Sequence, residues 1–100
     1  LKSSTPLPND FMMESAYPNP FNPSTTISFG LPKECNVEIS IFDLRGQKIE
    51  TLINEFAQAG KYSINWNAAQ IASGVYFVHF KASGYNITPV SQIQKLMLIK

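Results

Sequence analysis

The sequence predicts an all-β protein, an antiparallel sandwich of about seven short strands, and three observations carry that expectation. Apolar and polar residues alternate in TTISFGL, NVEISIFD and KYSINW, the period-2 pattern of half-buried strands. Turn-forming residues separate the apolar runs at fairly regular spacing, as in a sandwich. No segment satisfies a heptad or amphipathic-helix template over several turns.

Residues 1–15 read as a linker with a possible first edge strand. Ser3, Ser4, Thr5, Pro6, Pro8 and Asn9 have linker composition, and Phe11, Met12 and Met13 form a short apolar patch. The sandwich itself is expected over 16–100. It opens on AYPNPFNPSTTISFG, where Pro18, Pro20 and Pro23 each fix their own φ and bias the preceding residue toward extended backbone. Asn19 and Asn22 add local turns. This strap is expected to stiffen the junction with whatever precedes it, so that the sandwich stands clear.

Ile27, Phe29 and Leu31 then share one strand face. In NVEISIFD, Val37, Ile39 and Ile41 share another, with Glu38 and Ser40 opposite. Asp43-Leu44-Arg45-Gly46 has Asp at the first and Gly at the fourth turn position, which predicts a type I turn and a hairpin into QKIETLI. NEFAQAG carries the only trace of helical character and is too short to assign. Tyr62, Ile64 and Trp66 align in KYSINW, and NAAQIAS reads as a loop. GVYFVHFKA, opening at Gly74, is apolar on both faces, with Val75 and Phe77 on one and Tyr76, Val78 and Phe80 on the other. Such a strand is expected to be central and covered on two sides. After SGYNITPVSQ, where Tyr85 lies in a Gly/Asn loop, the chain closes with the short apolar run QKLMLIK.

The 100 residues make one domain's worth of chain, with 8 Lys and Arg against 7 Asp and Glu. A formal charge of +1 provides no basic field for a nucleic-acid backbone or an anionic membrane. No apolar run approaches the ~18–20 residues of a transmembrane helix. The opening LKSSTPLPND is polar and proline-containing, unlike a secretory signal peptide.

Cys35 is the only cysteine, which excludes an internal disulfide, and His79 is the only histidine. Cys35 is expected to be a small, semi-buried filler in a turn before a strand, and His79 a strand-end residue near solvent. The carboxylates Asp10, Glu14, Glu34, Glu38, Asp43, Glu50 and Glu55 are scattered without metal-ligand spacing, so Asp43 is read as a turn former rather than a calcium ligand. Among the aromatic residues Tyr17, Phe21, Trp66, Tyr76 and Tyr85, phase places Trp66 and Tyr76 in the core and leaves Tyr85 as the freer ring. Nucleophile, base and metal site are all missing as local patterns; no enzyme and no cofactor are expected.

Taken together and in order, YPNPFNPSTTISFGLP, VEISIFDLRGQKI, AGKYSINWN, SGVYFVHF and KLMLIK resemble one family, the type A C-terminal sorting domain of the type IX secretion system. The resemblance covers roughly residues 7 to 100. It implies an immunoglobulin-like sandwich that acts as a non-catalytic address label on a larger exported cargo. The cargo would pass through the periplasm of a Gram-negative bacterium and an outer-membrane translocon to become secreted or displayed on the cell surface. A sortase-like peptidase commonly removes such a label and joins the cargo to surface lipopolysaccharide.

In this resemblance Pro18-Asn19-Pro20 matches the family's entrance, and Asp43-Leu44-Arg45-Gly46 and Gly74-Val75-Tyr76 match its inner motifs, in mainly structural roles. Recognition by translocon and sortase is expected at Lys95-Leu96-Met97-Leu98-Ile99-Lys100. A closing strand at a sheet edge would be open to strand addition, with Lys95 and Lys100 as cationic handles. Removal needs an exposed, flexible site, which favours residues 1–10, or positions upstream of them, over the strap. The alternatives are a structural module like the immunoglobulin-like domain of flagellar hook-capping proteins, and a carbohydrate-binding sandwich of the kind appended to glycosidases.

Overall fold

Seven strands, each antiparallel to its neighbours, form two sheets in a computed structural model that describes residues 10–100; the expected linker residues 1–9 lie outside the described residues. The strands are β1 (Met12–Met13), β2 (Ser24–Leu31), β3 (Cys35–Phe42), β4 (Lys48–Ala57), β5 (Gly60–Asn67), β6 (Gly74–Gly84) and β7 (Ile87–Leu98). One sheet has the order β1-β2-β5 and the other β4-β3-β6-β7. This is the strand order of an immunoglobulin-like sandwich.

Alternation builds the core. Ile27, Phe29 and Leu31 of β2 face Val37, Ile39 and Ile41 of β3, Tyr76, Val78 and Phe80 of β6, and Leu96 and Leu98 of β7, all buried. Phe29 and Phe80 meet across the gap with ring centroids 5.7 Å apart, and Trp66 lies edge-on to Tyr76 at 6.1 Å. The indole N–H of Trp66 donates to Glu50 Oε1 at 3.0 Å, which satisfies a polar group that burial would otherwise penalise. Trp66 and Tyr76 thus lie where their phase put them.

Several elements differ from expectation. NEFAQAG has no helical turn, because β4 continues to Ala57 in register with Cys35 of β3. Two register shifts leave Leu52 and Ile49 without a partner opposite, which explains the weak alternation of this edge strand. The Gly/Asn loop at Tyr85 is short, and strand takes up the rest of SGYNITPVSQ. Only Tyr85 and Asn86 connect β6 to β7, with Asn86 at φ +60°, a conformation that Asn tolerates. Pro89 is accommodated because β7 lies at the sheet edge, where one side needs no N–H donor.

Strand β6 is central, between β3 and β7, but only one of its faces is covered. Tyr76, Val78 and Phe80 point inward, while Val75, Phe77 and His79 line the outer face, half-buried. His79 therefore sits in mid-strand, with Nε2 at 2.6 Å from Ser91 Oγ, rather than at a strand end. Cys35 is the first residue of β3 and fully buried, and burial pushes its thiol pKa up. It faces the core, on the opposite face of the sheet from His79.

The strap is more than a stiff junction, because it is bonded and packed into the sandwich. Glu14 N–H donates to Ser28 O, Tyr17 and Thr26 exchange two backbone hydrogen bonds, and Ala16 and Phe21 are buried. The Phe21 ring packs on Trp66 at 5.4 Å. The prolines shape a segment that belongs to the fold, and Tyr17-Pro18, Asn19-Pro20 and Asn22-Pro23 are cis.

Candidate recognition site

Strand register brings the sequence motifs to one end of the sandwich. Phe42, the last residue of β3, is opposite Phe77 of β6, and Gly74 at the start of β6 is opposite Leu98 of β7. Leu98 is in turn bridged to Phe21 of the strap. The Asp43–Gly46 turn, the Gly74-Val75-Tyr76 corner, the Pro18-Asn19-Pro20 entrance and the Lys95–Lys100 segment are consequently neighbours.

Each motif has a distinct job there. Asp43 Oδ1 accepts the N–H groups of Arg45 at 2.9 Å and Gln47 at 3.0 Å, while its carbonyl accepts Gly46 N–H at 3.0 Å. The Gln47 N–H foremost, with Arg45 adding to it, holds the Asp43 carboxyl below its ordinary pKa. Gly46 has φ +87°, which a side chain would strain. Asp43 is thus a turn former, and among the described residues no cluster of three His, Cys, Asp or Glu side chains is placed to hold a metal.

Tyr76 donates its hydroxyl to Ala72 O at 2.6 Å. A tyrosine near the start of this strand, bonded to backbone a few residues upstream, is the tyrosine corner of immunoglobulin-like sandwiches. Gly74, two residues earlier, has φ +153°, a backbone conformation that a side chain would strain.

The strap and β7 are zipped by three side-chain amides, each bonded at both ends. Gln92 accepts from Met13 N–H at 2.8 Å and donates to Phe11 O at 3.2 Å. Gln94 accepts from Ala16 N–H at 2.6 Å and donates to Glu14 O at 2.9 Å. Asn19 reciprocates from the strap, donating to Lys95 O at 2.9 Å and accepting from Met97 N–H at 3.1 Å. Phe21 then continues as backbone, with N–H to Met97 O and O to Ile99 N–H, both at 2.9 Å.

This zipper changes how Lys95–Lys100 is presented. The outward backbone groups at Lys95 O, Met97 and Ile99 N–H are already taken by the strap, so the edge expected to be open to strand addition is occupied there. Leu96 and Leu98 are fully buried. The side chains of Lys95, Met97, Ile99 and Lys100 face outward, and Lys100 is also tied to the loop before β6, through Nζ to Ala69 O and N–H to Ser73 Oγ. Sequence reasoning missed Gln92 and Gln94, although both share the inward parity of Leu96 and Leu98.

The aromatic residues do not assemble into a platform. Trp66, Phe21 and Tyr76 are core, while the exposed Tyr17 and Tyr85 lie on the strap and on the far β6–β7 turn.

The family described as the secretion system C-terminal sorting domain matches residues 15–95. The chain belongs to that family. The match takes in the strap, the Asp43–Gly46 hairpin and the tyrosine corner, and stops at Lys95. Comparison with curated proteins gives no match. As a type IX sorting domain, the chain belongs to an exported protein destined for the outer membrane or cell surface, and it interacts with the type IX machinery. The family is non-catalytic in general.

Proposed function

We propose that this domain is the address label of a larger cargo and is read by the type IX outer-membrane translocon at the end of the sandwich where the motifs converge. The observation that carries the reading is the family match across the strap, hairpin and tyrosine corner, the elements that build this end. In this reading Lys95, Met97, Ile99 and Lys100 offer their side chains to the translocon and to a sortase-like peptidase. Leu96 and Leu98 hold the segment in register from below. Pro18, Asn19, Pro20, Asp43, Gly46, Gly74 and Tyr76 fix the end's shape. The peptidase cuts within residues 1–10, ahead of the zippered strap, and the released cargo is secreted or joined to surface lipopolysaccharide.

The test is an export assay. Residues 1–100 are fused behind a periplasm-targeted fluorescent reporter in a bacterium with a working type IX system. A second fusion carries Lys95→Ala, Met97→Ser, Ile99→Ser and Lys100→Ala. Delivery of the first fusion to the surface or medium, with the second retained in the periplasm, supports the reading. Retention of the unsubstituted fusion removes the sorting function in that host, and equal delivery of both removes the role of these four side chains.

A further inference from the structure

On the outer face of the four-stranded sheet, the apolar side chains of β3 and β6 gather at the motif end, while Phe56 of β4, opposite Asn36, is exposed at the other. Along β3, Asn36, Glu38 and Ser40 precede Phe42; along β6, Ser83 and Lys81 lie at one end, and Phe77 and Val75 at the other. Phe42 is the register partner of Phe77, and His79 that of Ile93. Together with Asp43, Leu44 and Gly46 of the hairpin turn they line a cavity of about 350 Å³ whose exposed surface is almost wholly apolar. Leu44 is 70% exposed and Ile93 65%. Single exposed apolar residues are ordinary, but a cluster of cross-strand neighbours around one cavity marks an interaction surface.

Charge defines the rim. Arg45 pairs with Asp43 at 3.3 Å and Lys48 with Glu38 at 3.0 Å, whereas Lys81 and Lys95 form no ion pair among the described residues. Lys81 follows His79 by two positions on the same outer face, and Lys95 is the register partner of Phe77. Lys81 also lies opposite Glu38 and Asp43 lines the cavity, so the floor is apolar and the rim carries four cations, Arg45, Lys48, Lys81 and Lys95, against the two carboxylates.

We propose that this cavity docks an extended acidic segment of the outer-membrane translocon. One apolar side chain of that segment enters between Phe42, Phe77 and Ile93, and flanking carboxylates meet Lys81 and Lys95. The proposal rests on the sorting reading above and extends its contact surface from Lys95 across the outer face of the sheet. A desolvated apolar anchor within a charged rim is the usual division of labour in an interface, the anchor giving affinity and the rim giving register.

The export assay tests it with Leu44→Asp plus Ile93→Asp, and separately with Lys81→Glu, which lies outside the Lys95–Lys100 set, against Tyr85→Asp at the far turn. Circular dichroism and the thermal midpoint establish that each variant is folded; all substituted side chains are solvent-facing, and the charge reversal stands if the apolar pair unfolds. Delivery is expected to fall about tenfold or more in the apolar double variant and in Lys81→Glu, as for loss of hot-spot contacts, and to be unchanged in Tyr85→Asp. Unsubstituted fusion delivered together with undiminished delivery of the folded variants overturns the docking site alone. Retention of the unsubstituted fusion overturns the sorting reading and this partner with it. Co-sedimentation of the unsubstituted domain with vesicles of anionic phospholipid, abolished by Leu44→Asp plus Ile93→Asp, would reassign the cavity to a membrane surface and also overturn the proposal.

Discussion

Asn19 and Met97, 78 positions apart, are joined by a 3.1 Å hydrogen bond from the Met97 N–H to the Asn19 side-chain oxygen. The amide nitrogen of the same side chain donates to Lys95 O. A single carboxamide thereby performs the donor and acceptor roles that a backbone peptide of a neighbouring strand would perform. The Pro18-Asn19-Pro20 segment is in this light an edge cover. The prolines, which lack N–H groups, give a rigid frame, and the asparagine between them supplies the hydrogen bonds.

Replacing Asn19 by Ala removes both bonds and leaves Lys95 O and Met97 N–H to solvent. The expected loss is about 1–2 kcal/mol, at the low end because the site is exposed. Urea unfolding measures it, and hydrogen exchange at the Met97 amide should accelerate more than exchange in β3. An unchanged midpoint with unchanged exchange would show that Phe21 alone anchors the strap.

Tyr76→Phe tests the corner. It keeps the ring beside Trp66 and deletes the bond to Ala72 O, for an expected cost of about 1 kcal/mol. In a domain of this size that lowers the thermal midpoint by roughly 4–8 °C. Gly74→Ala strains a backbone at φ +153° and should cost about 1–2 kcal/mol, while leaving Tyr76 its partner. Calorimetry of both variants separates the hydroxyl bond from backbone strain, and a neutral Tyr76→Phe would assign the corner to packing only.

How much of this was legible followed from how each residue earns its position. Val37, Ile39 and Ile41, and likewise Trp66 and Tyr76, are placed by period-2 alternation, which the sequence displays directly. Asp43 and Gly46 are placed by local turn chemistry, also visible in four residues. The strap's role was hidden because its partners Gln92, Gln94 and Lys95 are contributed by a strand at the other end of the sequence. Polar residues obscure the alternation in Ile87–Leu98 because one face meets the strap's backbone instead of an apolar core. Strand β6 misled in the opposite direction. Val75 and Phe77 are apolar without a covering layer, and a docking surface carries the same sequence signal as a second core.

Acidification should destabilise the fold in two separate windows. Burial, reinforced by Lys81 on β6 and Lys48 on β4 and opposed by Glu38 on β3, lowers the pKa of His79. Between its folded and unfolded values the unfolded chain binds more protons, so stability falls as pH drops below about 6.5. Glu38, held down first by its hydrogen bond from Lys48, and Asp43, held down first by Gln47 N–H, are depressed carboxylates. Their contribution is present above the ordinary carboxylate range and is lost below about pH 4. His79→Gln should flatten the urea midpoint between about pH 7 and 5, and Asp43→Asn only the lower window. A His79→Gln profile parallel to the parent would assign the upper window elsewhere.

Deleting Lys95–Lys100 would confuse recognition with folding, because Leu96 and Leu98 are fully buried in the core. Leu→Ala at either position is expected to cost about 2–5 kcal/mol, and losing both approaches the whole stability of a small domain. The outward set Lys95→Ala, Met97→Ser, Ile99→Ser and Lys100→Ala keeps every backbone bond to Asn19 and Phe21. Its expected cost is about 1 kcal/mol or less, with part of that from the Lys100 bond to Ala69 O. Urea unfolding of Leu96→Ala, Leu98→Ala and the outward set therefore comes before any export experiment. If the outward set retains its midpoint while Leu98→Ala collapses, a loss of export in the former is a recognition defect. If the outward set unfolds as readily as Leu98→Ala, those four side chains hold the edge together, and the label must be read elsewhere on the sandwich.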